Sequence, residues 1–536
     1  MYEFPSFTES VRPVGSPEPP FPYALLEALR SSPDSPIFEQ GARVVSRGEL
    51  LDLVGQMAGA MLDAGLDPAR GVAVHTGVSP EAFAAQTAAH VLGCRVVFVR
   101  PGQTPGQLAH MLDTEVDAVV VDASTADPEV FAAAGAATVL TLGPLPGDVP
   151  GAVDLLAHHG GVRLPALLGH PDDVALMAFT SGSTGQPKGC ALTYRALGES
   201  WSWQPRLWSP LAIELAGAFR RYLLLGTLSS LAVQEFLALC LLGGGVAVIP
   251  EDDGRPPFPY AIERHRITGA ILPVPKLCRM LDLLRTEQVD VGSLRALMVA
   301  GSPISPHRLT EAVERLGPVV YQAYGSSEAG MISMLTPGDL ERFPERALAS
   351  VGRPQPRVEI RVLDEEGRPV ATGRTGEIHV RNDYLIAGYW GQPEETHAVL
   401  RNGWLRTRDL GYLDEDGLLY LVGRTRDVIM VNAMVVYAGP IERVLAGHPD
   451  VAEAYVTGAM DERTGEAVHA FVVPAPGRVP DLGELAALVG TELGADSVPR
   501  TIMTIPAPLV AASGKPDKRA LLERYGSDRA EGAGRL

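Results

Sequence analysis

Lysine is nearly missing from this 536-residue chain: Lys188, Lys276, Lys515 and Lys518 are the only lysines among its 45 lysines and arginines. Arginine offers a rigid planar fork and lysine a compact point charge on a flexible stem, so positions that keep lysine against such a bias are candidates for point-charge work on phosphate. Positive charge is scarce overall as well, with 64 acidic side chains and a formal net charge of −19. That balance excludes a general nucleic-acid or anionic-membrane surface and leaves any anionic ligand to local features. Cysteine is sparse too. Cys94, Cys190, Cys240 and Cys278 include no Cys-x-x-Cys pair, which argues against a disulfide framework or a zinc site and fits free thiols in a reducing compartment. No apolar run is long and unbroken: Leu223 to Pro250 carries Gln234 and Glu235 in its middle and breaks at Gly243-Gly-Gly, so it reads as a buried helix and strand, not a membrane span. The N-terminus, with Glu3 and a proline-rich stretch, lacks the apolar core of a secretory signal, and the protein is expected in the cytoplasm.

What remains is an ordinary globular composition, 46% hydrophobic and 20% charged, in a chain too long for one core. Helical apolar spacing over Leu50 to Ala64 and short buried strands at Val72–Val74, Arg95–Val99 and Ala118–Val121 predict an α/β fold with a largely parallel sheet. The Gly- and Pro-rich stretch Gly143 to Gly161 is expected to be a loop between subdomains. Helix-then-strand rhythm returns at Arg264–Leu272, Leu294–Val299 and Pro318–Tyr321. From about residue 350 the pattern changes to exposed antiparallel strands, at Val358–Leu363 and Gly376–Val380, with hairpin turns at Glu366-Gly367 and Asp416-Gly417.

One stretch carries most of the chemistry. After the apolar run Val174 to Ala178 the chain reads Phe-Thr-Ser-Gly-Ser-Thr-Gly-Gln-Pro-Lys-Gly-Cys, residues 179 to 190. A strand that empties into glycines, the hydroxyls of Thr180, Ser181, Ser183 and Thr184, and Lys188 is suited to wrap N–H and O–H groups around phosphate oxygens. It is not the common phosphate loop, because Cys190 stands where Ser or Thr would follow Gly-Lys. Further along, Tyr324-Gly-Ser-Ser-Glu-Ala-Gly follows a predicted strand and offers Glu328 as a hard ligand for a magnesium ion. Asp409, in Trp404-Leu-Arg-Thr-Arg-Asp-Leu-Gly, is placed to accept from ribose hydroxyls, Arg424 follows in Gly423-Arg-Thr-Arg-Asp, and Lys515 sits in a second glycine-lysine stretch.

From about Arg43 to Leu522 this constellation resembles the adenylate-forming superfamily of acyl-CoA synthetases, peptide-synthetase adenylation domains and beetle luciferases. The resemblance implies a large N-terminal domain, residues 1–425, of mixed and parallel sheets flanked by helices plus an antiparallel subdomain over about 350–425. It also implies a small mobile α+β C-terminal domain, residues 426–536, that turns on a hinge at Arg426. By the same resemblance Thr180, Ser181, Gly182, Ser183, Thr184, Gly185 and Lys188 hold the ATP triphosphate, and Gly301, Ser302, Pro303 and Tyr324 flank the adenine. Gly325, Ser326 and Ser327 belong to the same turn, Glu328 holds Mg²⁺, Asp409 and Arg424 contact ribose, and Lys515 is the catalytic lysine. Thr227, Leu228 and Leu231 fall in the substrate pocket. The implied reaction activates a carboxylic acid as its adenylate and passes it to coenzyme A or a discrete acyl carrier protein. Amino-acid-activating relatives carry an aspartate in the segment matching Arg221 to Gln234, and none is present, so a hydrophobic acid without an α-amine is expected. The short stretch beyond Lys515 leaves the acceptor expected on a separate molecule.

Four departures from the pattern bear on the reaction. Thr227 and Leu228 stand where relatives carry a gating aromatic or histidine, Arg408 replaces a glycine beside Asp409, Asn432-Ala433 replaces a glycine pair, and Ala438-Gly-Pro replaces Pro-x-Glu. Three readings are therefore open: a complete acyl-CoA ligase, an enzyme specialised for one half-reaction, and a non-catalytic binding protein.

Overall fold

The computed structural model describes residues 20–147, 149–157, 164–180, 187–302, 304–425, 428–431, 434–461, 464–510 and 516–526. Valine-rich runs decide its first large sheet. Gly71–His75, Arg95–Phe98 and Val116–Val121 carry valines with no exposed surface, as strands covered on both faces must. They pair in parallel with one another, with Thr138–Thr141 and with Val174–Thr180. Lys188–Thr193 and Gly388–Tyr389 then extend one edge antiparallel and Val153–Asp154 the other in parallel, giving eight strands among the described residues. A nine-stranded sheet runs beside it, parallel from Pro36–Gln40 through Val246–Ile249, Arg221–Leu223, Gly269–Pro273 and Ala296–Ala300 to Val320–Ser326. Gly330–Leu335 turns back antiparallel on the last of these.

Two apolar helices connect the sheets. Pro80–Val91 starts on a Ser79 cap with proline at its first position and is buried along its length. Leu231–Leu242 is also largely buried and meets it where Gln234 Nε2 donates to Gln86 Oε1 at 2.8 Å. The expected helix-and-strand reading of Leu223 to Pro250 is therefore observed, and no helix among the described residues is long and apolar enough to cross a membrane. All four cysteines are buried and unbridged.

The antiparallel pattern expected beyond residue 350 is a five-stranded sheet that includes Glu359–Leu363, Gly376–Arg381, Trp404–Leu413 and Leu419–Arg424. Sheet membership changes between Arg424 and Val428, where a second five-stranded sheet begins with its own core around Ile441, Leu445, Val468 and Leu485. The helix Ala438–Ala446 of this smaller unit crosses the strand Leu419–Arg424 so closely that a Cβ at Gly439 would lie 2.6 Å from the Val422 carbonyl oxygen. Glycine in the atypical Ala438-Gly-Pro sequence thus has a packing reason. One expectation is corrected. The Gly143 to Gly161 stretch is not a link between subdomains: Val153–Asp154 returns to pair with Thr138–Thr141 in the same sheet. Residues 148 and 158–161 of it lie outside the described residues.

Candidate active site

Thr180, Gly301 and Tyr324 lie at the carboxyl ends of parallel-paired strands, where open α/β sheets present ligand crevices, while Lys188, Asp409 and Arg424 come from antiparallel strands. Val174–Thr180 and Lys188–Thr193 form the two stems of the candidate phosphate loop, with Thr180 opposite Lys188 in register. Ser181, Gly182, Ser183, Thr184 and Gly185 lie outside the described residues. Lys188 is only 8% exposed. Its Nζ makes a 2.6 Å ion pair with Glu395 Oε2 and lies 5.2 Å from the ring centre of Tyr389. A cation this enclosed requires a partner, and the first turn of the helix Pro393–Val399 supplies it.

Tyr389 links this lysine to the proposed metal ligand. Its hydroxyl donates to Glu328 Oε1 at 2.9 Å, and its backbone pairs with Cys190 in the sheet. Burial pushes the Cys190 thiol well above its usual range; the Glu328 charge adds to the shift, while the Thr180 hydroxyl and Lys188 oppose it. Thr180, Lys188, Glu328 and Tyr389 therefore surround one inert thiol. The Lys188 stem is braced by His110 Nε2 against the Pro187 carbonyl at 2.9 Å, and beside it Arg95 stacks 4.0 Å from the Trp390 ring centre. No group of three His, Cys, Asp or Glu able to hold a metal occurs among the described residues. Magnesium does not need one: it binds through one or two carboxylates together with substrate phosphates and water, which a single Glu328, joined to Lys188 through Tyr389, fits.

Asp409 and Arg424 face each other across the pair Trp404–Leu413 and Leu419–Arg424. Arg424 Nε donates to Asp409 Oδ1 at 2.8 Å, and the Tyr324 hydroxyl donates to Oδ2 at 2.6 Å. Asp409 is buried and the Arg424 side chain 61% exposed, so the carboxylate is fixed from inside while the guanidinium reaches outward. Burial, and then the Asp409 charge, hold the Tyr324 phenol well above its ordinary value, so it stays a donor. Arg408 does not draw Asp409 away: among the described residues Tyr324 and Arg424 are the carboxylate's side-chain partners. Its departure from glycine shows in the backbone instead. Arg408 has φ +63°, and its carbonyl accepts from Thr425 N at 2.9 Å.

Gly301, φ +95°, and Ser302 end the strand Ala296–Ala300. Gly325 is confined by the Gly330 carbonyl, 2.3 Å from where its Cβ would be, and Ser326 Oγ accepts from Ala329 N in the turn that carries Ser327 and Glu328. Of the substrate-pocket residues, Leu231 lines a cavity, Leu228 is in the core with its carbonyl on Gln234, and the Thr227 hydroxyl accepts from Ser229 N. Pro303, Arg426, Asn432, Ala433 and Lys515 lie outside the described residues. Sequence reasoning missed Tyr389 and Glu395. The signal available was the run Tyr389-Trp-Gly-Gln-Pro-Glu-Glu, two aromatics followed by a helix start rich in carboxylates.

Comparison with known proteins identifies the family. The chain matches the AMP-binding enzyme family over residues 25–390 and the AMP-binding enzyme C-terminal domain over residues 440–515. It belongs to that family, within the adenylate-forming superfamily. Among curated proteins it is 32% identical to a medium/long-chain-fatty-acid–CoA ligase, FadD8, of Mycobacterium tuberculosis, over 96% of this chain and 90% of that one. It is 33% identical to an indoleacetate–CoA ligase of Aromatoleum aromaticum over 66% and 68% of the two chains. Among solved structures the amide bond synthetase McbA of Marinactinospora thermotolerans superposes with a TM-score of 0.79 and 34% identity, covering 94% of this chain and 99% of that one.

Proposed function

We propose that this protein uses ATP to convert a hydrophobic carboxylic acid without an α-amine into its acyl-adenylate and then transfers the acyl group to coenzyme A. The observation that carries this reading is that two clusters, Lys188–Tyr389–Glu328 and Tyr324–Asp409–Arg424, are joined through the one strand and turn that carry both Tyr324 and Glu328. The carboxylate oxygen bonds to the α-phosphorus of ATP as the bond to pyrophosphate breaks, and the developing charge must be met by fixed cations and donors. Lys188 serves the departing phosphates, Asp409 and Arg424 hold the ribose, and Lys515 serves the α-phosphate during this first step. Mg²⁺, held by Glu328, supplies charge neutralisation on the phosphates when bound. In the second step the thiol sulfur bonds to the acyl carbon, AMP leaves, and rotation of the small domain about Arg426 exchanges Lys515 for the thiol path.

A second reading has an observation in its favour. The amide bond synthetase resemblance extends over 94% of the chain, and an amine nitrogen opens an acyl-adenylate as a thiol does. Pyrophosphate release should be measured across aryl and fatty acids, with coenzyme A, a simple primary amine, or neither, and the product identified by mass. An acyl-CoA product supports the first reading and an amide alone the second. No pyrophosphate with any acid returns the chain to the non-catalytic class.

A further inference from the structure

Between the helices Pro80–Val91 and Leu231–Leu242 lies a cavity of about 60 Å³. That is room for more than one water-sized group. Phe83, Phe98 and Leu231 give it an apolar wall; Gln86, His90 and Glu235 give it a polar one. The polar side is unfinished. Among the described residues the Gln86 amide nitrogen and His90 Nδ1 have no hydrogen-bond partner, although both residues are more than nine-tenths buried. Glu235 opens onto the cavity, and burial pushes its carboxyl up to about 8. The indole of Trp201 lies beside it and opposes the shift, yet among the described residues its Nε1 closes no hydrogen bond of proper geometry. Buried polar groups are nearly always paired, so this cluster calls for a ligand.

The cavity reaches the turn that carries Glu328. Gly330 follows Glu328 by two residues, has φ +62° and lines the cavity. A Cβ there would lie 2.9 Å from the Tyr384 ring and 3.4 Å from Glu235 Oε1, so bare backbone is what admits the Tyr384 ring and the Glu235 carboxyl at this point. We propose that this cavity is the far end of the acyl site and selects acids whose apolar skeleton bears an N–H or O–H that donates to the carbonyl oxygen of the neutral Glu235 carboxyl, a hydroxyl accepting in turn from the Gln86 amide. The proposal rests on the adenylation reading for the opposite, carboxylate end of the same substrate. Glu235 is a specificity residue, and Gln234 positions Gln86 from the other side of the cavity.

Calorimetric titration of the full chain with matched acids tests this independently of turnover. Indole-3-alkanoic acids are compared with 1-benzothiophene-3-alkanoic acids, and 4-hydroxyphenylalkanoic with phenylalkanoic acids, each as the acetic, propanoic and butanoic member. Within at least one pair the donor-bearing acid should bind about tenfold more tightly to the parent protein. The indole pair and the phenol pair tell N–H from O–H. Glu235→Leu should abolish the preference, and Glu235→Gln, which retains an acceptor oxygen and nearly the same shape, should keep part of it. Equal binding within every pair, or a preference that survives Glu235→Leu, overturns the proposal whatever pyrophosphate assays give. A preserved donor preference without pyrophosphate release would overturn the adenylation reading instead.

Discussion

Lys188 and Glu395, 207 residues apart in the chain, meet at 2.6 Å beside the phosphate loop. Lys188 is thus held by a carboxylate, and on the proposed function a triphosphate competes with Glu395 for it. Glu395 is 43% exposed at its side chain, so solvent screens the pair and an incoming phosphate can displace it. Glu395→Gln should therefore lower the KM for ATP severalfold, since it removes both the competitor and a repelling charge. Lys188→Ala should reduce pyrophosphate release by about a hundredfold or more, the range found when one preorganised charge-stabilising donor is lost. An unchanged or raised KM in Glu395→Gln would show that the carboxylate orients the lysine rather than competes.

The Tyr389 hydroxyl fixes one oxygen of Glu328, which couples that carboxylate's position to the lysine pair. Glu328→Gln should slow pyrophosphate release, and raised Mg²⁺ should restore part of the loss. Tyr389→Phe should shift the Mg²⁺ dependence in the same direction but less. A magnesium titration that superposes on the parent curve for Glu328→Gln would take Glu328 out of the metal site.

Arg408 holds a backbone conformation that favours glycine. A left-handed residue with a Cβ costs about 1–2 kcal/mol, of which glycine's extra unfolded-state freedom takes back about 0.5–1. Arg408→Gly should then raise stability by about 0.5–1 kcal/mol in urea unfolding, and Arg408→Val, with a branched Cβ, should lower it. A destabilised glycine variant would mean that the arginine side chain contributes more than its backbone strain removes.

Much of this arrangement is legible in the amino-acid sequence. Strands covered on both faces read as continuous valine runs, and lysine scarcity singles out Lys188. The Asp416-Gly417 turn implies the hairpin that sets Asp409 opposite Arg424. What stays hidden depends on distance or direction. Glu395 reaches Lys188 only because the strand Gly388–Tyr389 closes onto the sheet edge, a pairing with no local signature. Glu235 reads as a polar interruption in an apolar helix, since spacing alone does not reveal a cavity on that face. The two-residue strand Val153–Asp154 is too short to show where a Gly- and Pro-rich stretch returns.

Tyr324 donates the shortest of the contacts that fix Asp409. Tyr324→Phe removes a hydrogen bond to a charged group while keeping the ring. The KM for ATP should rise about tenfold with kcat near the parent value, because the lost contact serves ground and transition states alike. A fall in kcat at unchanged KM would place Tyr324 at the reacting atoms instead.

The cavity groups set opposite pH limits on stability. Glu235 rises from an ordinary 4.5 to about 8, and burial is the cause; Tyr384 and the neutral His90 are the titratable groups on neighbouring elements. Between those two values the unfolded chain releases the proton that the folded chain keeps, so stability is full below about pH 4.5 and is lost as pH rises through 8. His90 falls from 6.5 to about 3, again through burial, so its contribution is present above 6.5 and lost as pH drops towards 3. Glu235→Gln removes only the first limb. Urea midpoints measured at pH 5, 6, 7 and 8 should therefore diverge, with the variant gaining on the parent at each step upward. Parallel curves would show that Glu235 is already ionised across this range and that a partner or water reaches it in solution.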